Sequence, residues 1–361
     1  MSEQLILVIN PGSTSTKIAV TDVKNERHFQ KTIKHPIEEL EKYDKISDQY
    51  EFRKKVILDT LIAEHIDLKS FVAVIGRGGL CKPIPSGLYL VNEKMKEDVR
   101  NSPLGEHASN LGCLIADDIA NELPDVKAFI ADPVVVDELE PLARIAGHPD
   151  FERISIFHAL NQKAVARKYA KSVNMSYREL NLIVVHLGGG ITVGAHKKGL
   201  VIDVNQGLDG EGPFSPERSG TLPSGQMAAL CFSGKYTHKQ VKKMITGKGG
   251  CSAYLGTNDA LEIENRMKDG DDKARLIYEA MAYQVSKEIG ACATVLNGEV
   301  DAILLSGGIA YDVKFVEWIK ERVSFIAPVF IYPGQDEMQA LADNVIAHLK
   351  GVIRALEYNP E

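Results

Sequence analysis

The chain has little cysteine. Five thiols are scattered over 361 residues, at Cys81, Cys113, Cys231, Cys251 and Cys292. They are odd in number and no two form a CxxC pair, so neither a thiolate metal site nor a disulfide framework is signalled. Apolar runs long enough to span a bilayer are absent, which leaves no membrane partner to expect. No charged-then-apolar leader stands before the first strand, and a reducing cytoplasm is the expected compartment. Long basic runs are missing too, and the net charge is −7. Nucleic acid is therefore not an expected partner, since it favours a basic face. Two nucleotide-binding signatures are also lacking. There is no GxGxxG, and Gly234-Lys235 is followed by Tyr236, so no P-loop forms there. Low-complexity and linker-like segments do not occur.

What is present begins with Leu5–Lys17, LILVINPGSTSTK. Leu5–Ile9 is apolar enough for a buried strand, and Asn10, Pro11 and Gly12 break it. Ser13, Thr14, Ser15, Thr16 and Lys17 follow, then a second β-rich run, Ile18–Val23. Turn amides, hydroxyls and an amine can all donate to anionic oxygens, so the turn suits a phosphate. A plain hairpin with a Ser/Thr-rich loop would carry the same residues.

Strands and helices alternate after that, which indicates an α/β protein. Residues 24–70 read as charged and mostly helical, with Phe52, Val56, Ile57, Leu61 and Ile62 near helical spacing. Strands are expected at Phe71–Ile75 and Val126–Ala131, with a helix over 102–122 between them. The pattern then repeats. Leu182–Val185 leads through His186-Leu187 to Gly188-Gly189-Gly190, with strands at Ile191–His196 and Leu200–Val204. Ala302–Leu305 runs into Ser306-Gly307-Gly308-Ile309, as Val72–Ile75 runs into Gly76-Arg77-Gly78-Gly79. Two such halves suggest a duplicated α/β unit jointed near 145–160, with the natural site in the cleft between them. Val329–Pro333 is a last strand, and a long helix is expected over 338–356.

Several residues could carry chemistry. Gly188–Gly190 would permit close backbone approach to a phosphate. Arg77, at a strand end, could fork onto a carboxylate or phosphate, or make a surface ion pair. His158 lies at a strand-to-helix change, where it could donate to a phosphoryl group or be structural. Arg218 sits in a stretch too rich in Gly and Pro for regular structure, and such loops often carry sites. Asp132, before Pro133, could orient a partner or cap a turn. Glu337 could hold Mg²⁺ through water or complement a helix dipole.

Five segments together resemble the acetokinase family, within the sugar kinase/actin/Hsp70 superfamily. They are Val8–Lys17, His186–Gly190, Asp209–Pro223, Ser306–Ala310 and Tyr332–Glu337. The similarity runs in order from residue 5 to about residue 350. Where the acetate branch has Asn in its glycine-rich turn, this chain has Gly189, and it has Leu261 where that branch carries an Arg. Both features, with the shorter length, favour the butyrate branch. The resemblance implies duplicated ribonuclease-H-like, actin-like ATPase domains with a central interdomain cleft. An acetokinase domain over 1–155, a nucleotide-binding domain over 156–334 and a last helix, 335–361, packing back on the first are expected. The implied reaction is butyrate + ATP ⇌ butyryl phosphate + ADP, with Mg²⁺, in a cytoplasmic homo-oligomer, a dimer or larger.

The resemblance also assigns residues. Asn10 would sit near the metal, Ser13, Ser15 and Lys17 near the ATP phosphates, and Glu337 would anchor Mg²⁺. Arg77 would bind the acyl carboxylate, and Asp132 would position groups in the active site. His158 and Arg218 would stabilise the phosphoryl group in flight. Gly188, Gly189, Gly190, Gly307, Gly308 and Ile309 would contact the nucleotide.

The chemistry agrees. A carboxylate is already anionic at neutral pH and needs no base to attack. It needs charge neutralisation, because phosphoryl transfer is mainly positioning and electrostatic stabilisation. Acetate or propionate kinase, a sugar or polyol kinase and an actin-like ATPase are the rival readings. Arg77 speaks for a carboxylate acceptor over a hydroxyl. A ribonuclease-H nuclease would need Asp where Asn10 stands.

Overall fold

A computed structural model describes residues 4–101, 104, 105 and 107–360. The chain divides into two compact units, one ending at Val136 but regaining the segment from Asp336 onward, the other Asp137–Gln335.

The first unit holds strands β1 (Leu5–Pro11), β2 (Ser15–Asp22), β3 (Arg27–Lys34), β4 (Phe71–Arg77), β5 (Leu88–Leu90) and β6 (Lys127–Ala131). Its sheet runs from a short C-terminal strand, Leu356–Glu357, through β5, β6, β4, β1 and β2 to β3. β1, β2 and β3 form an antiparallel meander, while β4 lies parallel to β1 and β6 parallel to β4. The second unit holds β7 (Asn181–Leu187), β8 (Ile191–Lys197), β9 (Leu200–Val204), β10 (Ala302–Gly307) and β11 (Val329–Pro333), in the order β11-β10-β7-β8-β9. β7, β8 and β9 are again an antiparallel meander, with β10 parallel to β7 and β11 parallel to β10. The five-stranded core β3-β2-β1-β4-β6 therefore recurs, strand for strand and direction for direction, as β9-β8-β7-β10-β11. The duplicated ribonuclease-H-like arrangement follows from that identity of topology.

The central strands are apolar on both sides because both faces of each sheet are covered. Leu5, Leu7 and Ile9 of β1 pack with Ile57 and Leu61 of the helix Tyr50–Ala63 and with Leu111, Ile115 and Ile119 of the helix Asn110–Asn121. The helix Glu337–Leu349 packs on β1, β4 and β6. In the second unit Ile183, Val185 and Leu187 meet the helices Asp272–Val295 and Val313–Val323, while Leu182 and Val184 meet the helix Ala159–Ser172. Each fully buried aliphatic side chain of this kind contributes roughly 1.5–3 kcal/mol.

Three local expectations need correction. Residues 24–70 are not helical throughout, because β3 occupies Arg27–Lys34 as the sheet edge. Only Phe29 and Ile33 lean on the core there, and pairing with β2 rather than an apolar face makes the strand. The helix expected over 102–122 is Asn110–Asn121, preceded by a separate helix, Glu93–Asn101; its expected start, Ser102, lies outside the described residues. The C-terminal helix stops at Leu349, seven residues short of Leu356, where Gly351 takes a φ of 73° and turns the chain. Its start is capped as the sequence suggests, with Asp336 accepting from the Gln339 amide at 3.0 Å.

Candidate active site

In the first unit, Asn10 and Arg77 end neighbouring parallel strands, β1 and β4. Parallel pairing brings their C-terminal ends to one edge of the sheet, where ligand sites of open α/β sheets form. Glu337 is the first residue of the helix packed over those strands. Asn10 Nδ2 donates to Glu337 Oε2 at 2.6 Å, and Arg77 Nη1 reaches the same oxygen at 3.1 Å. Arg77 Nη1 also lies 3.5 Å from Asn10 Oδ1. Three residues that the sequence spreads over 327 positions thus share one carboxylate oxygen. Arg77 is held by an unusually close helix–strand approach. A Cβ on Gly76 would stand 2.1 Å from the Gly112 carbonyl oxygen, and one on Gly112 would stand 2.2 Å from that of Arg77.

The hydroxyl turn is built over a buried cation. Gly12 N donates to Ser15 O at 2.7 Å, closing the turn, with Ser13 exposed and Ser15 and Lys17 half-exposed. Lys17 stands opposite Asn10 in the β1–β2 register. Beneath, Arg53 is almost wholly buried, and its Nη1 donates to Gly12 O at 2.6 Å and its Nη2 to Ser13 O at 3.0 Å. Gln49 Oε1 accepts from Arg53 Nε and Nη2 at 3.1 and 2.7 Å. Burial lowers the guanidinium to about 10. His35 Nε2 lies 2.8 Å from Thr16 Oγ1, and burial, then the Arg53 charge, lowers its imidazole to about 4. Drawing the turn carbonyls inward leaves the opposite side of the peptide units, their amides, for an anion. Arg53 escaped the sequence reading, yet it carried a signal. It shares the i, i+4, i+8 row of Ile57 and Leu61, so a charge stands on the apolar face of its helix.

Asp132 follows β6 with a φ of 39°, a conformation uncommon for a non-glycine residue and one that clusters at functional sites. Its Oδ1 accepts from Ser86 Oγ at 2.6 Å and from the Gly87 amide at 2.9 Å.

In the second unit, His158 stands immediately before the helix Ala159–Ser172. Its ring stacks on His186, with centroids 3.9 Å apart. The Gly207 amide donates to Ile156 O at 2.8 Å, and Arg218 Nη1 donates to Gly207 O at 2.6 Å, so the backbone of one glycine links the His158 and Arg218 segments. Ser215 Oγ ties the glycine turn to the Arg218 loop by donating to Gly189 O at 2.6 Å. A Cβ on Gly190 would fall 2.1 Å from Arg218 Nη1, so that glycine makes room for the guanidinium. Burial pulls the Arg218 guanidinium below its usual range, and its Nε–H is buried with no partner. A cation with an unsatisfied donor suits an anionic ligand. Gly307, at a φ of 90°, ends β10, where a Cβ would stand 2.2 Å from Leu187 O. Gly308 faces open space, whereas the Ile309 side chain is buried in the core, leaving its backbone for any contact. Asp259 caps the helix Ala260–Lys268, accepting from Leu261 N at 2.9 Å.

Among the described residues, no group of three or more His, Cys, Asp or Glu side chains converges as a metal cage. The Asn10 amide oxygen and the Glu337 carboxylate are hard oxygen donors. That small set fits Mg²⁺, which usually keeps several waters and takes only one or two protein carboxylates plus phosphates. No helix among the described residues is long and apolar enough to cross a membrane.

The family model for the acetokinase family matches residues 153–325. The structure is similar to that of Porphyromonas gingivalis acetate kinase, with a TM-score of 0.79 at 18% identity over 96% of this chain and 100% of that one. It is also similar to a propionate kinase from Francisella tularensis subsp. tularensis, with a TM-score of 0.76 at 19% identity over 94% and 98% of the two chains. These two are likenesses of fold. The sequence is 57% identical to butyrate kinase 1 of Clostridium acetobutylicum over 353 residues, 98% of this chain and 99% of that protein. With that identity carried through both halves of the duplicated fold, the chain belongs to the acetokinase family.

Proposed function

We propose that the protein is a butyrate kinase, transferring the γ-phosphoryl group of ATP to the carboxylate of butyrate or a similar short-chain acid, reversibly. The observation that carries this is the 57% identity to butyrate kinase 1 of Clostridium acetobutylicum over nearly the whole chain.

Residue roles follow from charge. An acyl carboxylate and a phosphoryl group repel, and the enzyme must offset that before an oxygen lone pair can attack phosphorus. Arg77 pairs with a carboxylate in this structure, that of Glu337, and its guanidinium suits the substrate carboxylate in the same way. The braced Gly12–Thr16 turn, with Ser13, Ser15 and Lys17, receives ATP phosphates. Arg218 and His158 stabilise the equatorial oxygens in transit, and the attacking oxygen and the departing ADP oxygen lie in line through phosphorus. Asp132, fixed by Ser86 and Gly87, positions neighbouring groups and takes no proton, because the nucleophile is already ionised. Asn10 and Glu337 would hold Mg²⁺, which would neutralise charge on the phosphates. Gly188–Gly190 and the backbone of Gly307–Ile309 contact the nucleotide. We assign an acetokinase domain over 1–155, which the last helix joins, and a nucleotide-binding domain over 156–334; the compact units themselves part earlier, at Val136. The protein acts in the cytoplasm as a homo-oligomer, with no nucleic-acid partner.

The test is acyl phosphate formation from MgATP, trapped with hydroxylamine, with acetate, propionate, butyrate, isobutyrate and glycerol in parallel. The strongest signal is expected with four-carbon acids. A signal strongest with acetate moves the substrate and keeps the mechanism; no acyl phosphate with any acid overturns the reading.

A further inference from the structure

We propose that Thr192, Gln162, His196 and Tyr177 form a hydrogen-bonded series that holds the His158 imidazole in one tautomer, with its proton on Nε2. The proposal rests on the reading that His158 donates to the phosphoryl group.

Each link has only one workable direction. Gln162 Nε2 lies 3.1 Å from the Thr192 carbonyl oxygen, which can only accept, so that end of the amide is the nitrogen. Gln162 Oε1 then faces His196 Nε2 at 2.9 Å and must receive its N–H. Complete burial keeps His196 neutral, so its Nδ1 is bare and accepts from the Tyr177 hydroxyl at 2.7 Å. At the other end, Thr192 Oγ1 accepts from Gln162 Nε2 at 2.9 Å and from the His158 amide at 3.5 Å. Both lone pairs of that hydroxyl are then engaged. Its own proton goes to His158 Nδ1, 2.9 Å away. An imidazole that accepts at Nδ1 carries its N–H on Nε2 when neutral.

Two further features support the series. Thr192, Gln162 and His196 are wholly buried, and a polar chain at such depth is tolerated only when its members satisfy one another. Gly194 lies inside β8, where glycine is ordinarily unfavourable, yet a Cβ there would stand 2.6 Å from Gln162 Oε1 and 3.2 Å from His196 Nε2. The strand gives up a side chain so that the series can pass. The ring plane is fixed separately by stacking on His186, whose Nδ1 lies 2.9 Å from Asn161 Oδ1.

The experiment is long-range ¹H–¹⁵N correlation of the imidazoles in the full-length protein, with His158 assigned by its loss in His158→Gln. We expect His158 Nδ1 at an unprotonated shift and Nε2 at a protonated one. The near-isosteric Thr192→Val is expected to mix the tautomers and lower kcat about tenfold with the KM for butyrate unchanged, while Thr192→Ser restores both. An Nδ1–H tautomer in the unaltered protein overturns the proposal whatever the variants do. So does an unchanged kcat in Thr192→Val when His158→Gln is inactive. If His158→Gln is fully active, the donor role of His158 has failed instead, and the proposal falls with it.

Discussion

Arg53 Nη1 donates to the carbonyl oxygen of Gly12 across 2.6 Å, from a helix that begins 37 residues after the turn's first hydroxyl residue, and the same guanidinium reaches Ser13 O at 3.0 Å. A surface-seeking residue is thereby spent on the underside of a loop. Its bidentate fork is what lets one side chain hold successive carbonyls.

Replacing Arg53 with Lys is therefore not conservative. Arg53→Lys keeps a charge but cannot span both carbonyls, and a rise of roughly tenfold in the KM for ATP is expected, with the KM for butyrate unchanged. Initial-rate kinetics with each substrate varied in turn decide it. Equal changes in both constants would point to general loosening of the unit.

Arg77→Ala should act on the other substrate. Losing a charge-assisted contact of about 1.5–3 kcal/mol predicts a roughly 10–100-fold higher KM for butyrate, with a lower kcat. Unchanged butyrate kinetics would remove the carboxylate clamp from the mechanism.

Glu337→Gln keeps the shape of the helix start but removes the charge shared by Asn10 and Arg77. The Mg²⁺ dependence of the rate should shift to higher concentration, while circular dichroism stays native. A Mg²⁺ titration superimposable on that of the unaltered protein would sink the metal-anchoring role.

Gly190→Ala tests space alone. The added Cβ meets the Arg218 guanidinium at 2.1–2.7 Å, so Arg218 must move. A fall in kcat of about 10²-fold is expected, comparable to displacing a single transition-state donor. Gly308→Ala, where a Cβ finds nothing within 4 Å, is the steric control on the second glycine turn.

His35 gives the fold an acid limit. Its pKa falls from 6.5 to about 4 on folding, so the unfolded chain binds the proton more readily. Its contribution is complete above pH 6.5 and is lost as pH falls toward 4. Urea unfolding at several pH values should show that loss, and His35→Gln should flatten it. An equally steep dependence in the variant would transfer the effect to other groups.

Much of the fold was legible because both sheets are covered on both faces. Leu5–Ile9, Leu182–Val185 and Ala302–Leu305 had to be continuous apolar runs, and such runs stand out against charged helices. The repeat was legible for the same reason, since each run opens onto a glycine- or hydroxyl-rich turn. β3 was not, because an edge strand with Phe29 and Ile33 as its only core contacts has hardly any apolar pattern. The end of the last helix was hidden as well, since nothing before Gly351 breaks the helical pattern that the turn there interrupts.

Local sequence pattern marked the candidates for the proposed chemistry. Asn10, Arg77 and Asp132 stand at strand ends, Lys17 follows the hydroxyl turn, Arg218 lies in a glycine-rich loop, and His158 and Glu337 stand at helix starts, all positions that a local pattern exposes. Tertiary structure alone decided what supports them. Parallel pairing of β1 with β4 and the packing of the last helix over both brought Asn10, Arg77 and Glu337 onto one oxygen. Folding likewise set Arg53 beneath the Gly12 turn and threaded Thr192, Gln162 and His196 behind His158. These are satisfied pairs of buried polar groups far apart along the chain, and each partner's role depends on a distance that no local pattern records.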